Sequence, residues 1–209
     1  MTTMENIKVE YNYAEVKSWL AQKGVELYGN AFCFDEDDNY ILFKLIAYFL
    51  KDEITCSKYG LDLGKGILLA GPIGCGKTSL MTIMRYLPSA DCKFSLKPCR
   101  DISFEFIKDG YEVIHRYSKG KLYESNPRNI CFDDLGLENN LKYYGNECNV
   151  MAEILLSRYD LFISNKIMTH LTTNLSASEI ELAYGNRVRS RFRQMFNLIA
   201  FNAETKDKR

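Results

Sequence analysis

Residues 66–81 read GILLAGPIGCGKTSLM. The run Gly66–Ala70 is short and apolar, of the buried-strand type. Gly71, Gly76, Lys77 and Thr78 complete the spacing G-x-x-x-x-G-K-[ST], and a helical pattern, SLMTIMRYL, follows up to Pro88. Glycines allow backbone conformations that other residues resist, so successive N–H groups can converge on phosphate oxygens. A helix starting near Lys77 adds its positive N-terminal end. Contacts to a nucleotide are therefore expected from Gly71, Pro72, Ile73, Gly74, Cys75, Gly76, Lys77, Thr78 and Ser79. Lys77 is expected to be an exposed loop-end charge that reaches the β- and γ-phosphates. The Thr78 hydroxyl is expected to ligate Mg²⁺.

A phosphate loop of this kind needs a carboxylate at the end of a neighbouring strand. The run NICFDD, residues 129–134, supplies two. Asp133 is expected to hold Mg²⁺, and Asp134 to face the γ-phosphate and polarise the attacking water. Asp133–Gly136 also fits the D-x-x-G of GTPases. A GTPase should then carry N-K-x-D, yet Asn165, Lys166, Ile167 and Met168 lack the guanine-reading aspartate. Adenine is the better expectation.

Further along, the strand pattern KIMTHLTTN ends at Asn174. This side chain can reach between Asp134 and the γ-phosphate, or cap the next helix, LSASEIELAY. A basic helix, NRVRSRFRQMF, follows. At 100° per residue, Arg187 and Arg191 share one face while Arg189 and Arg193 share another. One face can offer an arginine finger to a neighbouring subunit's ATP. The other is left for intrahelical salt bridges or nucleic-acid phosphates.

Around these motifs the chain alternates strands and helices. Helices are expected over 13–23, 39–51, 101–118 and 147–164, and strands near 93–97 and 197–201. This alternation implies an α/β domain with a mostly parallel sheet. The acidic run Asp35–Asp38 stands ahead of the apolar 39–51 helix. Capping and interaction with the helix dipole explain it better than metal binding. The polar loop 119–129, with Lys119, Lys121 and Arg128, is a candidate DNA or partner contact.

The 209 residues carry 27 Lys plus Arg and 27 Asp plus Glu, so a globally basic nucleic-acid coat protein is excluded. A 46% hydrophobic fraction with 26% charged residues excludes whole-chain disorder. The seven cysteines include no C-x-x-C pair, and His115 and His170 have no ligand-like spacing, so reduced thiols and no structural zinc are expected. No signal peptide is visible, and the longest apolar run, Leu45–Leu50, is far too short to span a bilayer. A cytoplasmic protein without membrane contact is expected.

Taken in order, GILLAGPIGCGKT, ICFDDLG, LTTNLS and YGNRVRSRF resemble the DnaC/IstB-like branch of AAA+ ATPases. The resemblance covers residues 60–201. It implies a three-layer P-loop fold with a five-stranded, mostly parallel sheet and no C-terminal helical lid. Residues 1–30 would be a short helical extension and 31–209 the ATPase domain. By resemblance, Lys77 and Thr78 are Walker A, Asp133 and Asp134 Walker B, and Asn174 sensor 1. Arg191 would be the arginine finger and Arg187 the arginine before it. Many relatives carry Glu where Asp134 stands. ATP or ADP, Mg²⁺ and an ATP-dependent homo-oligomer are implied, acting on single- or double-stranded DNA. The partner would be a replicative helicase or a transposase. Two other classes remain open at this point. One is a P-loop small-molecule kinase, although the arginines precede the last strand rather than lying in a substrate lid. The other is an adaptor for which ATP is only a conformational ligand.

Overall fold

A computed structural model describes residues 11–118, 128–138, 141–143 and 146–208. Its strands are β1 (Gly66–Ala70), β2 (Ser95–Pro98), β3 (Ile130–Leu135), β4 (Leu141–Tyr143), β5 (Asn146–Cys148), β6 (Thr169–Thr173) and β7 (Phe196–Ala200). Five of them form one sheet in the order β2-β3-β6-β1-β7, and every neighbouring pair is parallel. The short β4 and β5 pair antiparallel to each other.

Parallel neighbours cannot be joined by tight hairpins, so helices carry the chain between them. The helices are α1 (Tyr13–Tyr28), α2 (Asn39–Phe49), α3 (Glu53–Lys58), α4 (Lys77–Met84), α5 (Cys99–Asp109), α6 (Glu112–Ser118), α7 (Val150–Asn165) and α8 (Ala177–Met195). The layers are visible in β1 itself. Ile67 and Leu69 face a core with Leu20, Leu42, Leu45 and Met81. Leu68 faces the other core, with Phe106, Phe132, Leu155 and Leu171. Successive side chains of a strand point to opposite faces, so a run of apolar residues demands helices on both sides.

The strand order decides where the site lies. β6 separates β1 from β3, with Leu69 level with Thr172, Ala70 with Thr173 and Phe132 with Leu171. The C-terminal ends of β1, β6 and β3 therefore form one edge, where open parallel sheets bind ligands. The sheet agrees with the sequence expectation and is wholly parallel rather than mostly so.

Four local differences have clear causes. α1 continues through Gly24, which packs against the Phe32 ring, and ends at Gly29. The helix expected over 101–118 is two helices, because Gly110 takes φ 59° and closes α5 with a bond to the Phe106 carbonyl. α3 and the β4–β5 pair were not expected, since short polar elements carry little periodicity. Among the described residues, no helix is long and apolar enough to cross a membrane.

Candidate nucleotide-binding site

The turn from β1 to α4 is built on two left-handed residues, Gly74 (φ 81°) and Gly76 (φ 92°). A side chain at either would be strained, which is why the loop needs glycine there. Gly76 caps α4, and its carbonyl accepts from Leu80 N at 2.9 Å. Lys77 corrects the expectation of an exposed charge: it is only 5% exposed. Its Nζ donates to the carbonyls of Gly71 (2.9 Å) and Pro72 (2.8 Å) and to Asn174 Oδ1 (2.5 Å). These three acceptors compensate the burial of the ammonium.

Asn174 thus comes to the phosphate loop across the sheet edge. It does not cap α8. That cap is Ser176, whose hydroxyl accepts from Glu179 N while Glu179 accepts from Ser176 N.

Asp133 lies beside Thr78 and is almost fully buried. Its Oδ1 accepts from Thr78 Oγ1 at 3.1 Å and from Thr172 Oγ1 at 2.6 Å. Burial pushes the Asp133 carboxyl above its ordinary range, and the hydrogen bond from Thr172 is the largest opposing influence. Asp134 takes φ 55° where the β3–β6 register shifts, and its N–H donates to Thr172 Oγ1 at 2.8 Å. The bulge lets two consecutive aspartates leave the strand in different directions: Asp133 is buried and Asp134 half-buried. Thr172 was legible as a polar strand-end residue, but its bridging of both aspartates needed the register.

A cavity of about 400 Å³ opens beside this loop, within the range of small-molecule sites. Phe32, Phe34, Asp35 and Asp38 line one wall, and Gly74, Cys75 and Ser79 another. Asp35 starts a 3-10 turn, Glu36–Asp38, with reciprocal capping between Asp35 and Asp38. Among the described residues, no cluster of three or more His, Cys, Asp or Glu could hold a metal ion. All seven cysteines are free thiols.

No protein-family model and no curated protein matches this chain. Solved structures do. The DnaC helicase loader superposes with a TM-score of 0.57 at 17% identity, covering 87% of this chain and 100% of that one. DnaI gives 0.55 at 18%, covering 85% and 88%. AMPPCP-bound DnaA from Aquifex aeolicus gives 0.54 at 15%, covering 82% of this chain and 48% of that one. The chain has the P-loop AAA+ fold.

In this AAA+ fold α8 returns from the end of β6 to the start of β7. Gly185 (φ 83°, ψ 163°) kinks it, so the basic stretch is a separate helical segment, as the sequence suggested. β7 begins with Phe196 level with Gly66, at the edge of the sheet opposite the phosphate loop. Arg191 lies in the second part of α8, five residues before Phe196. Its guanidinium stacks on Tyr159 of α7 at 4.9 Å, and Nη1 donates to the Arg187 carbonyl at 3.4 Å. Arg189 pairs with Glu181 across the Gly185 kink, in the first part of α8.

Two buried groups of the AAA+ core had no sequence signal beyond their residue type. Arg158, only 2% exposed, donates to Thr169 Oγ1 and to the carbonyls of Tyr117, Arg128 and Met168. It thereby ties together both ends of the segment that contains the expected basic loop. Lys119 and Lys121 lie outside the described residues. His170 is equally buried, and its Nδ1 accepts from Ile67 N at 3.0 Å, so it is structural.

Proposed function

We propose that this chain is a Mg²⁺-dependent, ATP-hydrolysing AAA+ ATPase of the DnaC/IstB-like branch. The observation that carries the proposal is the meeting of Lys77 with Asn174 and of Thr78 with Asp133 at one sheet edge. Residues 31–209 form the ATPase domain, and 1–30 an extension whose Leu20 packs into the same core.

The loop 71–76 wraps the phosphates with its N–H groups, and Ser79 extends that cradle. Lys77 exchanges its carbonyl partners for the β- and γ-phosphate oxygens. The donor set at Thr78 and Asp133 is hard oxygen, which suits Mg²⁺. Mg²⁺ would be held by the Thr78 hydroxyl and the Asp133 carboxylate, and would supply charge neutralisation at the β- and γ-phosphates. Asp134 polarises the attacking water and Asn174 positions it. The neighbouring cavity takes the nucleoside, with adenine as the base. Arg191 acts in trans, on a nucleotide held by the next subunit of a homo-oligomer.

DnaC's description as a helicase loader supports a role in DNA replication. The sequence resemblance adds mobile-element transposition as the other setting. The partner is accordingly a replicative helicase or a transposase on single- or double-stranded DNA. The protein acts in the cytoplasm.

The test is equilibrium binding of a non-hydrolysable ATP analogue, followed by turnover with and without single-stranded DNA. Wild type should bind and hydrolyse, and Lys77→Ala should lose most affinity while remaining folded. Asp134→Asn should bind but turn over slowly. Equal analogue affinity in wild type and Lys77→Ala would overturn the assignment. Binding without turnover would make the chain an adaptor.

A further inference from the structure

The segment after β7 folds back over the phosphate loop. Phe201 N donates to the Ala70 carbonyl at 2.8 Å, and Lys208 N to the Gly74 carbonyl at 3.1 Å. Between these points Asp207 packs directly on Gly74: a Cβ built there would lie 2.1 Å from Asp207 Oδ1. The Lys208 ammonium sits 5.8 Å from the centre of the Phe201 ring. It pairs with Asp35 Oδ2 at 3.2 Å and with Asp38 Oδ1. Asp38 has 4% of its side chain exposed, and its other oxygen accepts from Asp35 N at 3.0 Å.

Lys206, Asp207 and Lys208 thus close one side of the nucleoside cavity. The phosphate-loop and 31–38 walls lead directly into α4 and α2. Residues 206–208 belong to no helix or strand. The Lys208–Gly74 backbone bond, the packing of Asp207 on Gly74 and the Lys208 ion pairs hold them against the loop. The buried carboxylate of Asp38 makes the pairing consequential, because a buried charge that loses its partner is strongly penalised.

We propose that residues 202–208 form a strap over the nucleoside cavity. Lys208, latched on Asp35 and Asp38, holds the strap closed and governs nucleotide release. The proposal rests on the ATP-binding reading. A nucleoside in the cavity touches the strap, and its exit past 206–208 requires Lys208 to leave both carboxylates. Phosphates at Gly74–Lys77 also bring negative charge beside Asp207, so binding and strap closure influence each other.

The experiment uses the full chain and N-methylanthraniloyl-ATP with Mg²⁺, chased by excess ATP in a stopped-flow instrument. Lys208→Ala should release the probe three to ten times faster than wild type. Lys208→Glu should release it faster still, and Asp35→Lys combined with Lys208→Glu should recover part of the difference. Exchange of the backbone amide of residue 208, which donates to the Gly74 carbonyl, should rise in Lys208→Ala, measured without nucleotide. A wild type that binds, with Lys208→Ala releasing at the same rate, overturns the strap and leaves the ATP reading intact. A wild type that does not bind overturns the ATP reading. Unchanged amide exchange in Lys208→Ala then overturns the latch independently.

Discussion

Thr172 donates its hydroxyl proton to Asp133 at 2.6 Å while its oxygen accepts the Asp134 backbone N–H at 2.8 Å. One hydroxyl on the middle strand therefore sets both aspartates. Thr172→Val keeps the shape and removes both hydrogen bonds, leaving Asp133 buried with only Thr78 as a hydroxyl donor. Turnover should fall about tenfold or more, the scale of one lost charge-assisted hydrogen bond. Thr172→Ser should recover most of it. Steady-state hydrolysis at varied Mg²⁺ checks this, and full activity in Thr172→Val would refute it.

His170 makes acid stability testable. Burial, with a further contribution from the nearby Arg158 charge, lowers its pKa from 6.5 to about 3. The rings of Phe49, Phe94 and Tyr48 surround it. A depressed folded-state pKa means stability that is complete above the unfolded value and lost as pH falls towards the folded one. Between pH 7 and pH 5 this group alone should remove about 2 kcal/mol. Urea unfolding at both values, for wild type and His170→Gln, measures the difference. The variant should show the shallower pH dependence, and identical slopes would contradict this account.

Arg158 concerns the far edge of the sheet. Burial lowers its pKa to about 9, yet its guanidinium still satisfies three carbonyls and a hydroxyl from separate segments. Arg158→Leu removes the donor to the Tyr117 and Arg128 carbonyls and to Thr169 Oγ1, while the Met168 carbonyl keeps Ile130 N at 3.3 Å; each buried acceptor left unpaired costs about 1–3 kcal/mol before relaxation. A net loss of roughly 3–5 kcal/mol is expected, and Arg158→Lys should recover less than half, since one ammonium cannot span the fork. Chemical denaturation gives the values. A loss below about 1 kcal/mol would show that the carbonyls find other donors.

These residues show what the sequence could and could not disclose. The loop between β1 and α4 was readable because its glycines, Lys77 and Thr78 lie in one continuous stretch between a strand and a helix. The burial of Lys77 was not, because its partner Asn174 is 97 positions away and meets it only through the strand order. The same holds for Lys208 and Asp38, 170 positions apart. The break at Gly110 was misjudged because amphipathic periodicity continues on both sides of it. The division at Gly185 was readable as two helical patterns, LSASEIELAY and NRVRSRFRQMF, which flank the glycine. Local chemistry is written in adjacent residues, whereas contacts across the sheet depend on topology.

The level pairing of Phe196 with Gly66 places the end of α8 across the sheet from its own phosphate loop. β1 spans five residues, so the two edges are separated by roughly 13 Å along the strands. On the ATPase reading, Arg191 is expected to serve a nucleotide held by a neighbour. Its stacking on Tyr159 fixes where the guanidinium starts from. Arg191→Ala should bind ATP nearly as wild type does, but lose the hydrolysis that self-association stimulates, by as much as ~10³-fold. Mixing it with Asp134→Asn should partly restore activity, because one interface then pairs an intact phosphate site with an intact finger. Arg193→Ala should have a smaller effect on turnover and change salt-sensitive DNA binding instead. Hydrolysis per subunit should rise with protein concentration in wild type and stay flat in Arg191→Ala. A fully active Arg191→Ala, with no concentration dependence in wild type, would return this helix to a solvated basic surface.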